Sequence, residues 1–424
     1  MRAHVRILFI SHLYPPEIAA AAARVSELSQ RWVSAGHAVT VITGYPNHPT
    51  GRVPPAYAGH YWWRYQRECA HGVHLLRSPQ WTAANAGRLR RSCAFASASL
   101  SATLAAPLLR GIDVVVATSP HPLSMVPALA TQLLRRTPMV LDLRDLWPEQ
   151  MLGLGFSPHS LPVAALRRLV ALAYRRANCI VTVSPAYAPV LTRDYSVPPD
   201  KIEYLPNGVD LSTFLPSSPP LRQQFGLDPS HFVVGFVGTL GMSQRFGPML
   251  EAAERLQAHA PDVRFLIVGE GASRARIESE IRRRNLGNVR LFGLQPRALM
   301  PGLLASLNAG LVLLDENPYF RVALPSKLFE LMAMQLPIVL MAEGVAADLL
   351  ARSRSGVAAA DAVELEHAIL GLRRMPERAR ALGRQGRAFV AAEFDRDQLA
   401  ARYLDLLRQV AAATAKRARA RASG

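Results

Sequence analysis

Short apolar runs that alternate with longer amphipathic stretches constrain the fold of this chain more than any other feature. Each run is five to seven residues long, rich in β-branched residues and free of strict polar–apolar alternation. Parallel strands that are buried on both faces have this pattern. The predicted strands are 5–11, 38–43, 113–119, 138–144, 179–184, 232–238, 263–269, 289–293, 309–315 and 337–342.

The stretches between these runs have the spacing of helices, as over 20–35, 122–135 and 163–177. Alternating strands and helices form doubly wound parallel sheets. The Pro/Ser cluster LPSSPP at 215–220 suits an exposed linker, and 424 residues suit two domains. We therefore predict an α/β protein with two Rossmann-like domains.

The predicted domains are residues 1–214 and 221–383, and a long helix at about 384–412 can reach back to the first domain. Open α/β sheets bind ligands beyond the carboxyl ends of their strands. Two such domains that face each other would place the working site in the cleft between them. The basic tail 414–424 is predicted to be disordered and to add to the attraction of the protein for an anionic membrane surface.

Charge and cysteine content limit the classes of partner. The formal net charge is +18, and most of the excess lies in residues 1–215 and in the tail. A basic surface attracts nucleic acid and anionic lipid alike, but no helix-turn-helix, RNA-binding or OB-fold pattern accompanies it, so we predict no nucleic-acid partner. Cys69, Cys93 and Cys179 form no CxxC pair, which fits a reducing compartment and offers no zinc site.

The first strand leads into LYPPE at 13–17 and then into an alanine-rich stretch. A turn that binds a dinucleotide needs glycine, because the backbone must approach the phosphates closely. This turn has Pro15, Pro16 and Glu17 instead, which argues against a nucleotide-dependent dehydrogenase. A tight turn into a buried helix is the structural alternative.

Two glycine turns follow neighbouring strands in the second half of the chain. Gly238 and Gly241 come after one strand, with Arg245 nearby, and Gly269 and Gly271 come after the next. Glycines at strand ends can leave backbone amides free to bind phosphate. Either turn alone is weak evidence, but two on neighbouring strands predict a rim that faces a phosphate or a nucleotide.

The segment ALPSKLFELMA at 323–333 carries the clearest anion-binding pattern. Pro325 and Ser326 are typical of a helix start, with Ser326 able to cap it. The free amides and the helix dipole at such a start favour a diphosphate. Lys327 has the charge of a phosphate ligand, and Glu330, one turn later, could accept hydrogen bonds from ribose hydroxyls. An exposed Lys–Glu pair is the structural alternative.

In their order along the chain, these motifs resemble those of retaining glycosyltransferases of family 4, which have the GT-B fold. Within that family they are most similar to enzymes of bacterial cell-surface polysaccharides, typified by O-antigen fucosamine and colanic-acid transferases. The resemblance covers about residues 4–410. The matching segments are LYPPE (13–17), GHAVTVITGYPNHPTG (36–51), LDLRDLWPEQMLGLG (141–155), YLPNGVD (204–210), VGTLGMSQ (237–244), IVGEGASRARIE (267–278) and LPSKLFELMA (324–333).

The resemblance implies transfer of a sugar, with retention, from a nucleotide-sugar bound by the second domain to an acceptor held by the first. The donor is expected to be UDP-linked and to carry an N-acetylhexosamine or a deoxyhexosamine. Family members are usually metal-independent, and the one DxD, Asp395–Asp397, lies away from every predicted strand end, so no metal or other cofactor is predicted. The resemblance assigns donor binding to Glu17, Gly238, Thr239, Gln244, Arg245, Gly269, Gly271, Ser326, Lys327 and Glu330.

The chain departs from the family pattern at several positions. Thr239 and Gln244 stand where the family commonly has Arg and Lys, and Val322 replaces the first glutamate of its E-x7-E motif. The histidine often found in the first domain aligns with Arg144, which Asp145 follows at a strand's carboxyl end. Arg144 and Asp145 are therefore the predicted catalytic residues. An Arg–Asp pair that positions the next turn is the structural alternative.

Two segments of the first domain predict contact with a membrane surface. Residues 88–110 contain an uncharged stretch flanked by arginines. Its alanines, serines and Pro107 make it a poor membrane span, so an interfacial helix on anionic lipid fits better, and a core helix is the alternative. The loop 44–67, with Trp62 and Trp63, is expected to contact the acceptor or the membrane interface, or to cover the sheet edge.

We therefore predict a peripheral enzyme on the cytoplasmic face of the cell membrane that extends a lipid-linked saccharide. A nucleotide-sugar 2-epimerase on the same fold is one alternative, although an epimerase needs no lipid-facing segment. A catalytically inactive scaffold subunit of a polysaccharide assembly complex is another. The departures from the family pattern leave the scaffold open, whereas intact Ser326, Lys327 and Glu330 argue against it.

Overall fold

The computed structural model describes residues 4–17, 19–48, 51–82, 88–119, 121–153 and 155–422. The chain divides into two compact units: unit 1 runs up to Pro206 and resumes at Asp397, and unit 2 spans Asn207–Arg396. The linker predicted at 215–220 lies inside unit 2, so the chain crosses between units earlier than predicted. The reason is that Phe214 is fully buried in the unit 2 core, and Leu221 N donates to Gly302 O (3.2 Å).

Unit 1 is built around one mixed sheet. Within the described residues its strands are β1 (Arg6–Ile10), β2 (Ala38–Gly44), β3 (Gln66–Ala70), β4 (Val73–Ser78), β5 (Val114–Ser119), β6 (Met139–Leu143), β7 (Cys179–Thr182) and β8 (Ile202–Tyr204). They are ordered β3-β4-β2-β1-β5-β6-β7-β8. Neighbouring strands are parallel except for β3 and β4, which form an antiparallel hairpin.

Helices cover this sheet. In the described residues up to Pro206 they are α1 (Ala20–Ser34), α2 (Arg88–Ala105), α3 (Met125–Arg135), α4 (Glu149–Gly153), α5 (Leu161–Arg176) and α6 (Tyr187–Tyr195). By length and apolar content, none of the helices in the described residues could cross a bilayer.

Unit 2 has a wholly parallel sheet. Its strands are β9 (Phe232–Val237), β10 (Val263–Val268), β11 (Val289–Phe292), β12 (Ala309–Leu313), β13 (Ile338–Met341) and β14 (Gly356–Ala358), in the order β11-β10-β9-β12-β13-β14. Its helices are α7 (Phe246–His259), α8 (Arg274–Arg283), α9 (Met300–Ala305), α10 (Lys327–Ala333), α11 (Val345–Ser353), α12 (Ala362–Arg374) and α13 (Pro376–Glu393). Apolar clusters fill both faces of the sheet.

The single helix predicted at 384–412 is instead two helices, α13 and α14 (Arg396–Ala422). The break occurs because Val209 pairs with the extended chain: its N–H donates to Phe394 O (2.9 Å), and its carbonyl accepts from Arg396 N (3.0 Å). Helix α14 continues to Ala422, where the sequence analysis predicted disorder from residue 414. Alanine, arginine and lysine favour helix there. Residues 423 and 424 of that tail lie outside the described residues.

The α14 helix completes the core of unit 1. Trp32 of α1 is almost fully buried, stacks on Phe9 and packs its ring edge-on with Tyr403 of α14. Trp32 Nε1 donates to Ala400 O (3.0 Å). Leu407, one turn beyond Tyr403, is fully buried in the same apolar cluster.

A buried ion pair joins α1 to the centre of the unit 1 sheet. Asp142 of β6 is fully buried and accepts from Arg24 Nη2 (3.0 Å) and Thr118 Oγ1 (2.8 Å). Arg24 Nη1 also donates to Pro206 O (3.2 Å). These contacts offset the cost of taking both charges out of water.

All ten strands predicted from the apolar runs are present, with ends that differ by at most two residues. The three helices predicted from spacing correspond to α1, α3 and α5. The α/β fold class is confirmed, with the antiparallel β3–β4 pair as its exception to parallel pairing.

Candidate functional site

The two glycine turns of unit 2 are packed against each other through their backbones. At the carboxyl ends of β9 and β10, Gly238 N donates to Val268 O and Leu240 N donates to Glu270 O, both at 2.9 Å. Ser273 N then donates back to Leu240 O (2.9 Å). The two turns therefore form one rigid rim, and the Gly238 amide is occupied within it.

Close backbone approach explains why Gly269 and Gly271 are glycines. A Cβ on Gly269 (φ 154°) would lie 1.9 Å from Gly238 O, and one on Gly271 (φ 156°) would lie 2.3 Å from Leu240 O. Both backbones also adopt positive φ, which side chains strongly disfavour. The structure therefore gives these two residues a packing role in the rim, and their donor contact stays a prediction.

Gly238 has a different neighbour, the side chain of Lys327. A Cβ on Gly238 (φ 139°) would lie 3.1 Å from Lys327 Nζ. The same amine lies 3.4 Å from the centroid of the Phe236 ring, within cation–π distance. Two residues from separate predicted motifs, Gly238 and Lys327, therefore meet at the carboxyl end of β9.

Burial sets the protonation of this amine. It lowers the pKa of Lys327 to about 7, and the nearby Glu330 carboxylate opposes the shift only in part. Glu330 in turn lies 3.9 Å (Oε1) from Arg297 Nη1. Arg297 was not selected from the sequence, because nothing in its local pattern sets it apart from the many other arginines of this chain.

Ser326 does not cap its helix in the way predicted. It stands at the N-cap of α10 with helical dihedrals (φ −62°, ψ −24°), and its side chain makes no cap hydrogen bond within the described residues. A cap residue normally has extended dihedrals, which point its oxygen at the first amides. Here Pro325 O accepts from Leu328 N (3.1 Å) instead.

The three polar residues after β9 lie in different surroundings. Thr239 is exposed, and Gln244 Nε2 donates to Ser243 Oγ (3.0 Å). Arg245 forms an ion pair with Glu316 and also donates to Ala360 O (3.4 Å). Its charge is therefore balanced by Glu316 in this structure.

Glu17 lies in unit 1 and is buried there. Its Oε1 accepts from the backbone amides of Asn47 (3.1 Å) and His48 (3.0 Å), and its Oε2 accepts from Tyr14 N (3.3 Å). Burial raises its pKa, whereas these amides and Arg77 lower it. In the structure Glu17 joins the turn after β1 to the loop after β2, and its donor contact stays a prediction.

Arg144 and Asp145 follow β6 directly, at the carboxyl edge of the unit 1 sheet. Burial raises the pKa of Asp145 to about 6, and Arg144 opposes that shift. Tyr187 OH donates to Arg144 O (3.1 Å), and Gln150 Nε2 lies 3.4 Å from Asp145 Oδ1. These contacts fix the backbone and the carboxyl group of the predicted catalytic pair.

A histidine and aromatic cluster at the same edge was missed by the sequence analysis. Phe95 of α2 stacks on His121 (centroids 3.8 Å apart) and meets His12 edge-on (4.5 Å). The His121 ring lies 5.9 Å from that of Trp147, two residues after Asp145. The rings of His12, Phe95 and His121 line a cavity of about 30 Å³. Burial, with a contribution from nearby His48, lowers the pKa of His12 to about 4.

His12 follows the predicted strand 5–11 by one residue and His121 follows the predicted strand 113–119 by two, which is a signal that could have identified them. No group of three or more His, Cys, Asp or Glu side chains in the described residues could hold a metal ion. The predicted independence of metal stays a prediction.

Comparison with known families decides the assignment. The sequence model of Glycosyltransferase Family 4 matches residues 21–213, and that of Glycosyl transferases group 1 matches residues 231–374. The chain belongs to glycosyltransferase family 4. The predicted family and the predicted class of enzyme are thereby confirmed.

Individual relatives agree with the family. This glycosyltransferase is 26% identical over 350 residues to the putative colanic acid biosynthesis glycosyl transferase WcaI of Escherichia coli. The alignment covers 80% of this chain and 84% of that protein. Sucrose-phosphate synthase from Thermosynechococcus elongatus superposes with a TM-score of 0.74 at 20% identity, over 97% of this chain and 100% of that one. Anabaena Alr3699/HepE in complex with UDP-glucose gives 0.69 at 17% identity, over 96% and 100%. These structures confirm the GT-B fold.

Proposed function

We propose that this family 4 glycosyltransferase moves a sugar from a UDP-linked donor, with retention, to a lipid-linked saccharide in the synthesis of a cell-surface polysaccharide. The Escherichia coli relative supports that role, because it is described as a colanic acid biosynthesis enzyme. The Anabaena structure supports a UDP donor, because it holds UDP-glucose. The proposed sugar is an N-acetylhexosamine or a deoxyhexosamine, as the family resemblance implies.

The position of the Lys327 amine is the observation on which the donor proposal depends. The amine lies beside Gly238 and over the Phe236 ring, at the strand end where open sheets bind ligands. Because burial has removed part of its hydration, a diphosphate that contacts it restores a favourable environment for the charged form. When the bond from the anomeric carbon to the diphosphate oxygen breaks, UDP leaves with the electron pair. The ammonium group then stabilises the charge that develops on UDP.

Other residues of unit 2 take supporting roles in this proposal. Glu330 accepts hydrogen bonds from the ribose hydroxyls, and Arg297 Nη1 lies 3.9 Å from its carboxylate. Ser326, without a cap bond, offers its hydroxyl to a phosphate oxygen. Arg245 contributes only after it separates from Glu316, so we assign phosphate binding first to Lys327.

On unit 1 we propose Asp145 as the group that accepts the proton of the acceptor hydroxyl. With a pKa of about 6, its carboxyl group is ionised at pH 7 and is a stronger base than an ordinary aspartate. As the acceptor oxygen bonds to the anomeric carbon, its proton moves to Asp145. Arg144 stabilises the carboxylate before the transfer.

Thermal unfolding with a panel of UDP, GDP, dTDP and their sugars tests the donor proposal. A ligand at 100 times its dissociation constant adds about 2.7 kcal/mol to the free energy of unfolding, a shift of a few degrees for domains of this size. We expect shifts with UDP compounds that Lys327→Gln abolishes. The control is Lys201→Gln, at a half-buried lysine of unit 1 whose Nζ donates to Arg175 O (3.3 Å). Equal shifts in wild type and Lys327→Gln would overturn the assignment of this amine.

The outer face of α2 supports the proposed membrane contact. Ala94, Ala98 and Ala102 of this helix are buried, whereas Leu100 and Leu104 are 64% and 63% exposed. The small residues thus pack inward and the large apolar ones face out, the reverse of an ordinary surface helix. An exposed apolar face of this kind marks a binding surface.

Neighbouring segments extend this apolar face. Tyr65 OH donates to Ser101 O (2.8 Å), and Trp81 N donates to Ser97 Oγ (2.9 Å). Exposed on the same segments are Trp62, Trp63 and Trp81. Arg90 and Arg110 are exposed near the two ends of the helix and carry the charge that anionic lipid attracts. We therefore propose the anionic cytoplasmic face of the membrane as the surface that this enzyme binds.

Co-sedimentation with vesicles tests the membrane proposal. The double variant Leu100→Ser/Leu104→Ser should bind vesicles containing phosphatidylglycerol about tenfold more weakly, because two apolar side chains no longer enter the lipid. Leu215→Ser, an equally conservative change at an exposed leucine of unit 2, is the control. Unchanged binding by the double variant would rule out this face.

A further inference from the structure

Unit 1 also has a groove at the amino ends of its strands, whereas Asp145 lies at their carboxyl ends. The groove is lined by residues that precede β1 and β2, by the end of α1 and by α14, and its volume is about 710 Å³. That volume is enough for a small organic ligand. His4 and His37 stand at the amino ends of the strands and Arg408 comes from α14, so none of the groove's functional side chains belongs to the donor or catalytic groups.

The His37 ring in this groove is approached by two hydrogen-bond donors, although a neutral imidazole can accept from only one. His37 Nδ1 accepts from Val5 N (3.0 Å), so the ring proton lies on Nε2. Arg408 Nη2 lies 2.8 Å from that Nε2, and an arginine can only donate. In the other tautomer the ring proton lies on Nδ1 and faces the Val5 N–H instead. Two donors therefore face each other in either tautomer of the neutral ring.

Arg408 has a further unused donor. Its Nη1 donates to Asp405 Oδ1 (2.8 Å), but its Nε is buried and donates to no described residue. The groove's other carboxylate, Asp397, is paired with Arg31. Burial, Arg408 and His4 lower the pKa of His37, which favours the neutral form of its ring.

We propose that this groove binds a phosphate group, whose oxygens accept from His37 Nε2 and from the Arg408 guanidinium together. A phosphate oxygen has only lone pairs to offer, so it removes the conflict between the two donors. Guanidinium groups also bind phosphate through paired, charge-assisted hydrogen bonds. The source is a phosphorylated small molecule in solution or a phospholipid headgroup, and the ligand would hold α14 against the sheet.

Calorimetric titration of the full chain with inorganic phosphate at constant ionic strength tests the proposal. Arg408→Gln removes the guanidinium, and His37→Asn removes the Nε2 donor while its amide oxygen can still accept from Val5. Each should weaken phosphate binding about tenfold. Arg402→Gln, an exposed arginine of the same helix, is the matched control. Lys327→Gln should leave this binding unchanged, which separates the groove from any phosphate bound at the donor site.

Vesicles with and without phosphatidylglycerol form the second arm of the experiment, with every variant made in the Leu100→Ser/Leu104→Ser background so that the α2 face does not hold the vesicles. Binding of inorganic phosphate or of these vesicles that depends on both His37 and Arg408 supports the proposal and identifies the source. Binding of neither, or binding that both substitutions leave intact, overturns it. Should Arg408→Gln fail to fold, His37→Asn alone decides.

Discussion

The buried amine of Lys327 should make donor affinity depend on pH between 6 and 8. Burial lowers its pKa to about 7, whereas an ordinary lysine with a pKa of about 10.4 stays charged throughout this range. Only the charged form attracts a diphosphate. Affinity should therefore be nearly complete at pH 6 and fall as pH rises through 7, because the free protein loses the proton that binding requires.

The expected change follows from the fraction of protonated amine. A group with a pKa of about 7 is roughly 90% charged at pH 6 and roughly 10% charged at pH 8. The dissociation constant of a UDP-sugar should thus rise about tenfold over that interval, equivalent to about 1.4 kcal/mol. The sugar-linked diphosphate keeps a constant charge here, so the ligand itself adds no pH dependence.

Fluorescence or calorimetric titration with a UDP-sugar at pH 6, 7 and 8 measures this change. Lys327→Arg should bind with a flat pH profile, since a guanidinium stays charged. Lys201→Gln should reproduce the wild-type profile, because that lysine lies on unit 1. A flat wild-type profile, or the same tenfold change in Lys327→Arg, would refute the role given to the Lys327 amine.

Three further outcomes test the packing and the unit 1 site. Gly269→Ala should lower the free energy of unfolding, measured in urea, by about 3 kcal/mol or more, because its Cβ would lie 1.9 Å from Gly238 O. The control Gly247→Ala should raise that free energy by about 0.5 kcal/mol, because its Cβ would meet nothing within 4 Å. Asp142→Asn should cost about 3–5 kcal/mol because it leaves Arg24 buried and unpaired; the same change at exposed Asp194 should cost under about 1 kcal/mol. His121→Ala should lower the free energy of unfolding in urea by about 1 kcal/mol, because the Phe95 ring loses its stacking partner.

Local sequence pattern was sufficient for the strands buried on both faces. The strands that it missed are β3, β4, β8 and β14. In β3 half-buried and exposed positions alternate, and β4 pairs with it through a His71–Gly72 turn. Strands β8 and β14 are only three residues long. Such strands depend on their neighbours in the sheet more than on an apolar run of their own.

The candidate site shows the same division between local and distant causes. Gly238 and Lys327 could be brought together from strand-end reasoning, because both follow from their own motifs. The pairing of Arg245 with Glu316 and the three amides on Glu17 could not, since these partners are fixed by tertiary packing. The capping role of Ser326 failed for a similar reason: the backbone was already helical at that residue.

Unit 1 consists of two separate stretches of the chain, and this affects the order in which the protein folds on the ribosome. Unit 2 is one continuous segment of 190 residues, whereas the unit 1 core needs Tyr403 and Leu407, which are translated after that segment. At roughly 5–20 residues per second, the first part of unit 1 waits about 10–40 s for them. During that time the apolar surface around Trp32 lacks its cover. Chains that end at Arg396 and are released from the ribosome should therefore recruit a chaperone through unit 1, while unit 2 has its whole sequence and can fold.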